Sequence, residues 1–153
     1  MIVETLTAFF AIFFNINYAL LLFSVIFPEK IKTGRKSPSF TAIIANADSG
    51  SILRKTLSNI RKADYPQQKV EIIVVDNTGR KDVAAAAKRH RAKLIKDMVS
   101  SGKGAALNMG IRKAKNEVLY FLDSDTFIER NALKNIAQTL SGKTVAVQGI
   151  SVA

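Results

Sequence analysis

Hydrophobic and polar positions follow two different rhythms along this chain. Residues 6–27 form a run of 22 without a single charge. From residue 39 onward, short apolar runs alternate with helical patterns. The apolar runs fall at 40–45, 70–75, 93–95, 118–122 and 144–147. Their length and β-branched content predict strands. Between the first two, Leu53, Leu57 and Ile60 recur at i, i+4, i+7, which predicts a helix over 49–62 with Asp48 or Ser49 as its N-cap. Further helices are predicted over 81–91, 103–115 and 129–140. Nearly continuous apolar strands separated by helices predict an α/β fold, a mostly parallel sheet with helices on both faces.

The uncharged run predicts a transmembrane helix. At about 1.5 Å per residue it is long enough for a hydrocarbon core of about 30 Å. Asn15 and Asn17 are its only strongly polar residues; they read as tolerated positions in one span, or as a contact with another helix. A cleaved signal peptide fits less well, because the segment before the run holds Glu4 and no Lys or Arg, and the run ends in Phe27-Pro28-Glu29. The basic residues follow it: Lys30, Lys32, Arg35 and Lys36. That asymmetry predicts an uncleaved anchor in the cell membrane, with the remainder cytoplasmic. The expected organisation is an anchor over 1–27, a basic linker over 28–38 and an α/β domain over 39–153.

Composition narrows the chemistry. The chain has no Cys and one His, His90. Disulfides, thiolate metal sites, a Cys nucleophile and multi-His metal centres are excluded. Lys and Arg outnumber Asp and Glu by 23 to 12, a net charge of +11. Part of the excess lies between Arg80 and Lys96, in Lys81, Lys88, Arg89, Arg91 and Lys93, opposed only by Asp82. Such a run is most often a solvated helix face, and it also suits anionic membrane lipids. No aromatic platform, zinc knuckle or reading motif accompanies it, so nucleic acid is not an expected partner.

In parallel α/β sheets ligands bind beyond the carboxyl ends of the strands, where strand order reverses. Candidate residues therefore lie in 46–49, 76–80, 97–103 and 123–126. Asp123, Ser124 and Asp125 follow the strand at 118–122, and carboxylates two apart at a strand end can share a hard divalent cation with a diphosphate. Asp76 and Asn77 follow the strand at 70–75; a carboxylate there can accept from a base or ribose, or simply form an Asx turn. The small residues from Ser100 to Ala106 open a helix beside Lys103, an arrangement open to phosphate. The spacing is neither that of a P-loop nor of a dinucleotide fingerprint.

Taken in order, these segments resemble the family 2 glycosyltransferases of the GT-A fold. The resemblance rests on TAIIA (41–45), TLSNI and DYP (56–60, 64–66), EIIVVDN (71–77), GKGAALNMGIRKAKNE (102–117), VLYFLDSDT (118–126) and VAVQG (145–149). With the preceding anchor, the similarity points to membrane-bound members that make or lipid-link polysaccharides. The resemblance implies a nucleotide-sugar donor, usually with uridine, and a polysaccharide or lipid-linked acceptor. It implies Asp48, Asp76, Asn77, Lys103 and Asp123 as nucleotide-binding residues, with Asp76 against the base and Lys103 near the nucleotide, and Asp123 and Asp125 as the DxD pair that holds a metal. Asp125 is then the likelier direct ligand of Mg²⁺ or Mn²⁺.

The chain also departs from the family pattern. Where the family has a Pro-x-Tyr-Asn-Glu-like segment, Asp48 falls at the Asn position and Ser49 at the Glu position. The sequence ends at Ala153, just after VAVQG, and the resemblance implies a catalytic base beyond it. The expectation is thus the donor-binding half of a transferase, as a fragment or a truncated product. The alternative is a non-catalytic nucleotide- or membrane-binding relative.

Overall fold

The computed structural model describes residues 2–26, 37–98, 102–140 and 146–149. The chain divides into two units, Met1–Lys32 and Thr33–Ala153. The expected linker over 28–38 falls across that division, and its residues 28–36 lie outside the described ones.

The first unit holds one helix, α1 (Ile2–Ile26). Among the described residues no helix is long and apolar enough to cross a membrane, so the expected transmembrane span over 1–27 is not found there. Asn15 and Asn17 donate to the carbonyls of Ala11 and Phe13, one turn back, at 2.8 and 2.7 Å. Their amides are thus partnered within the helix. The Phe, Leu and Ile side chains described on α1 are exposed.

The second unit is a sheet with helices. Its elements are β1 (Phe40–Asn46), α2 (Gly50–Arg61), β2 (Val70–Asp76), α3 (Lys81–Arg89), β3 (Lys93–Lys96), α4 (Lys103–Ile111), β4 (Val118–Asp123) and α5 (Ala132–Thr139). The four strands pair in parallel in the order β3-β2-β1-β4. Strand residues alternate between faces, and β2 shows the consequence. Ile72 and Val74 pack into a core with Leu53, Leu57 and Ile60 of α2, Val83 and Ala86 of α3, and Leu133 and Ala137 of α5. Ile73 and Val75 pack on the opposite face against Ala106 of α4. Helices therefore cover both faces, and each fully buried Leu or Ile contributes about 1.5–3 kcal/mol.

Close backbone approach brings α4 and α2 to their places. A Cβ on Gly110 would collide with the Ile43 side chain of β1. A Cβ on Gly50 would enter the backbone of Asp82, so the start of α2 lies directly on the start of α3. Ser49 is the N-cap of α2 but makes no side-chain cap bond; its hydroxyl pairs with Ser51. The free amide of Gly50 instead donates to Asp82 of α3 at 3.0 Å.

α3 ends at Arg89 rather than 91 and α5 starts at Ala132 rather than 129, and two other elements differ more from the sequence reading. α4 stops at Ile111 rather than near 115, because Asn116 donates to the Phe40 carbonyl and Glu71 accepts the Lys115 amide, turning the chain into β4. The strand expected at 144–147 is not seen in its described part: Ala146 and Val147 have no regular structure, and 144–145 lie outside the described residues.

Asp82 ties α3 to α2 and titrates low. The hydrogen bond from the Arg80 guanidinium, helped by the amides of Gly50 and Val83, outweighs desolvation and lowers its carboxyl from 3.8 to about 2. A depressed folded-state pKa stabilises above the unfolded value, and the contribution fades as pH falls from about 4 towards 2. Asp82→Asn is therefore expected to lower the denaturation midpoint at pH 7 and to flatten its acid dependence in that window. An unchanged acid limb in chemical denaturation would show that Asp82 plays no such part.

Candidate functional site

The strand order places the site. From β1 the chain passes through α2 to β2 and on to β3, then returns through α4 to β4 on the other side of β1. The carboxyl ends of β1 and β4 are the point at which the order reverses. A cavity of about 300 Å³ opens there. Asp48, Asn77, Lys103, Asp123 and Asp125 line it, with Gly102 at the start of α4. Five of the six residues singled out from the sequence thus meet in one cavity, although they span 78 positions of chain, from 48 to 125.

Asp76 does not line it. It is 1% exposed, and its carboxylate organises the turn after β2. One oxygen accepts from the amide and hydroxyl of Thr78 and from the Asn46 amide group. The other accepts from the Gly79 amide. Asp76 is therefore an Asx-turn residue in this structure, one layer behind Asn77. Gly79, at φ +65, completes the turn.

Charge at the site is mixed. Lys103 forms an ion pair with Asp123, both side chains more than half exposed. Such a pair is worth ~0–1 kcal/mol, so a stronger ligand can part it. No hydrogen bond or ion pair engages the Asp125 carboxylate among the described residues. Gly102 caps α4 at φ +95 with no side-chain bond to the first amides, leaving these donors to a ligand or water. Ser100 and Ser101 lie outside the described residues.

The turn bearing the two carboxylates is held from α2. Thr56, fully buried, donates to the Ser124 carbonyl at 2.6 Å. Asn59 donates to the Ile128 carbonyl at 3.0 Å and accepts its amide at 2.7 Å. The Ser124 hydroxyl donates to Asp48. The sequence reading named Ser124 only between the two carboxylates, and Thr56 and Asn59 only within TLSNI, and gave none of the three this supporting part. One signal was a Thr on the apolar side of α2, three residues after Leu53.

Among the described residues no three acidic or His side chains group to hold a metal ion. Asp123 and Asp125 alone fit a different site. Mg²⁺ is commonly held by one or two carboxylates, with substrate phosphates and water completing the shell. The unengaged carboxylate of Asp125 is the observation that fits.

The second unit is an open parallel α/β sheet with acidic residues and a lysine at its point of reversal, a GT-A-like arrangement. Residues 41–153 match the Glycosyl transferase family 2 model, and the chain belongs to that family. It is 28% identical over 103 residues to the poly(ribitol-phosphate) beta-N-acetylglucosaminyltransferase TarS of Staphylococcus aureus, a match covering 64% of this chain and 18% of TarS. Its fold is similar to that of the mannosyltransferase PcManGT from Pyrobaculum calidifontis in complex with GDP-Man and Mn²⁺. There the TM-score is 0.69 and the identity 27%, over 77% of this chain and 37% of the other. For TarS 1–349 of S. aureus in complex with UDP-GlcNAc they are 0.60 and 26%, over 65% and 30%. The chain thus spans well under half the length of these relatives.

Thr56→Val keeps the shape of the side chain but leaves the Ser124 carbonyl without its donor. A loss of about 1–3 kcal/mol is expected, with faster amide exchange at 123–126. Thr56→Ser should retain both. Equal stability and equal exchange in Thr56→Val would show that the bond does not hold the turn.

Proposed function

We propose that this chain is the donor-binding portion of a metal-dependent glycosyltransferase that takes a UDP-sugar and serves a polysaccharide or lipid-linked acceptor. The convergence of Asp123, Asp125, Lys103 and Asn77 on one cavity carries the reading. The TarS relative supports a polymeric acceptor and a uridine nucleotide. The Mn²⁺ in the mannosyltransferase complex supports a divalent cation.

Asp123 and Asp125 would hold Mg²⁺ or Mn²⁺, which, when bound, would neutralise charge on the departing diphosphate. Lys103 turns from Asp123 to the phosphate oxygens, an exchange made easy by the weakness of its present ion pair. The uncapped start of α4 adds backbone donors and positive potential beside it. Asn77 faces the nucleoside. Asp76 acts on the nucleoside by fixing the turn from Asp76 to Gly79 that presents Asn77. Asp48 acts through Ser124, keeping the two carboxylates in place.

Removing a direct metal ligand should remove metal-dependent binding. In calorimetric titration of the full chain, UDP is expected to bind more tightly with Mn²⁺ than without. Asp125→Ala should erase that difference and keep the fold by circular dichroism. Wild-type-like metal dependence in Asp125→Ala would overturn the metal assignment. A folded wild-type chain that ignores UDP and GDP, with or without Mn²⁺, would favour a non-catalytic relative.

We further infer that α1 attaches the protein to the cell membrane, with residues 39–153 on the cytoplasmic side. The support is the uncharged run over 6–27, its basic flank, and exposed rings such as Phe9, Phe13 and Phe14. Burial of those rings in lipid is favourable at about 25 cal/mol per Å². The protein is expected to stay with membranes through alkaline carbonate washing and to be released by deletion of 2–26. Recovery of the full chain in the carbonate supernatant would contradict the attachment.

A further inference from the structure

A second, larger concavity, about 520 Å³, lies between α2 and the end of α3 and shares no lining residue with the first. Arg54, Lys55, Lys62, Arg89 and His90 line it, and no carboxylate does. The four Lys and Arg side chains are exposed. Among the described residues the ion pairs are Arg80–Asp82, Lys103–Asp123 and Lys134–Asp64, so none neutralises this group.

Helix ends explain only part of the cluster. Lys62 and Arg89 sit at the C-terminal ends of α2 and α3, where the helix dipole favours cations. Arg54 and Lys55 lie in the N-terminal half of α2, beyond reach of that effect, which fades within one turn. His90 registers the crowding. Burial first, then the cations of Arg89, Arg61 and Arg54, keep its imidazole below its usual pKa, and its buried Nε2 has no hydrogen-bond partner. Arg61, next to the group, is spent on the carbonyls of His90, Val70 and Arg91. Four like charges around one concavity repel each other, and an anion between them removes that cost.

We propose that this pocket is a second ligand site, one that takes a phosphate ester held by Arg54, Lys55, Lys62 and Arg89. The volume is within the range of small-molecule sites and exceeds what a bare phosphate needs. Phe127, 62% exposed at the lining, offers an apolar surface to the organic part of the ester. Asn59 also lines the pocket and clamps Ile128, three residues past Asp125. The ester thus sits against the loop that carries the candidate metal carboxylates. The ester has two sources, a soluble phosphate compound or the headgroup of an anionic lipid.

The test is amide-resolved NMR of the full chain in maltoside micelles, which carry no phosphate. One arm titrates glycerol 3-phosphate. The other compares micelles doped with phosphatidylglycerol and with phosphatidylcholine. Saturable shifts centred on residues 54–62 and 89–90 are expected in at least one arm, and the responding arm names the source. Arg54→Gln combined with Arg89→Gln should weaken that binding by about tenfold or more. The same double variant should leave the UDP and Mn²⁺ titration unchanged. Lys113→Gln combined with Lys115→Gln, outside the pocket, controls for net charge. Absence of shifts at these residues in both arms overturns the proposal. So does equal weakening by the control pair.

Discussion

Strand β1 pairs along its length with β2 on one side and β4 on the other, and the site depends on that double pairing. The register sets Asn46 opposite Asp76 and Ala45 opposite Asp123. Three strand ends therefore stop at one level, and the loops leaving them share one opening. A slip of one residue in either pairing would exchange the faces of a strand and move its tip out of line with the others. Both faces of β1 and β2 are packed, by α2 and α3 on one side and α4 on the other, and that fitted packing opposes the slip. Core packing and site geometry are thus consequences of the same register.

α2 links the core to the chemistry. Leu53, Leu57 and Ile60 seat it on the sheet, and the same helix face presents Thr56 to the Ser124 carbonyl. Asn59, one residue before Ile60, clamps Ile128. The carboxylates of Asp123 and Asp125 are then carried on a turn fixed by a rigid helix rather than by its own sequence. That arrangement leaves both acids exposed to ligand while their backbone is held. The same helix turns its outer side, through Arg54, Lys55 and Lys62, to the cationic pocket.

Much of this was legible in the sequence, because local pattern carries it. The four strands of the sheet were read within one residue at each end, since runs such as Val70–Asp76 are apolar on both faces, as buried parallel strands must be. Asp123, Asp125 and Lys103 stand out in the sequence because they sit at or just after element ends, and the structure sets them around one cavity. What stayed hidden depends on partners far apart in the chain. The acceptor for the Gly50 amide is Asp82, 32 residues on. The early end of α4 is set by Phe40 and Glu71. Asp76 reads from sequence as either a ligand contact or an Asx turn, and the turn amides that enclose it show the turn. The long apolar run read as a membrane span; helix α1 is present there, and among the described residues no helix meets the length and hydropathy of one.

In the proposed function, the ends of β1, β2 and β4, with the start of α4, form one nucleotide and metal site. Paramagnetic broadening of amide resonances by substoichiometric Mn²⁺, with UDP present, tests it most directly. Broadening should centre on Asp123 and Asp125, extend to 46–48, 77–79 and 102–103, and largely vanish when UDP is withheld. Broadening centred on another carboxylate, such as Asp64 or Asp82, or none at any residue of the turn after β4, would contradict it.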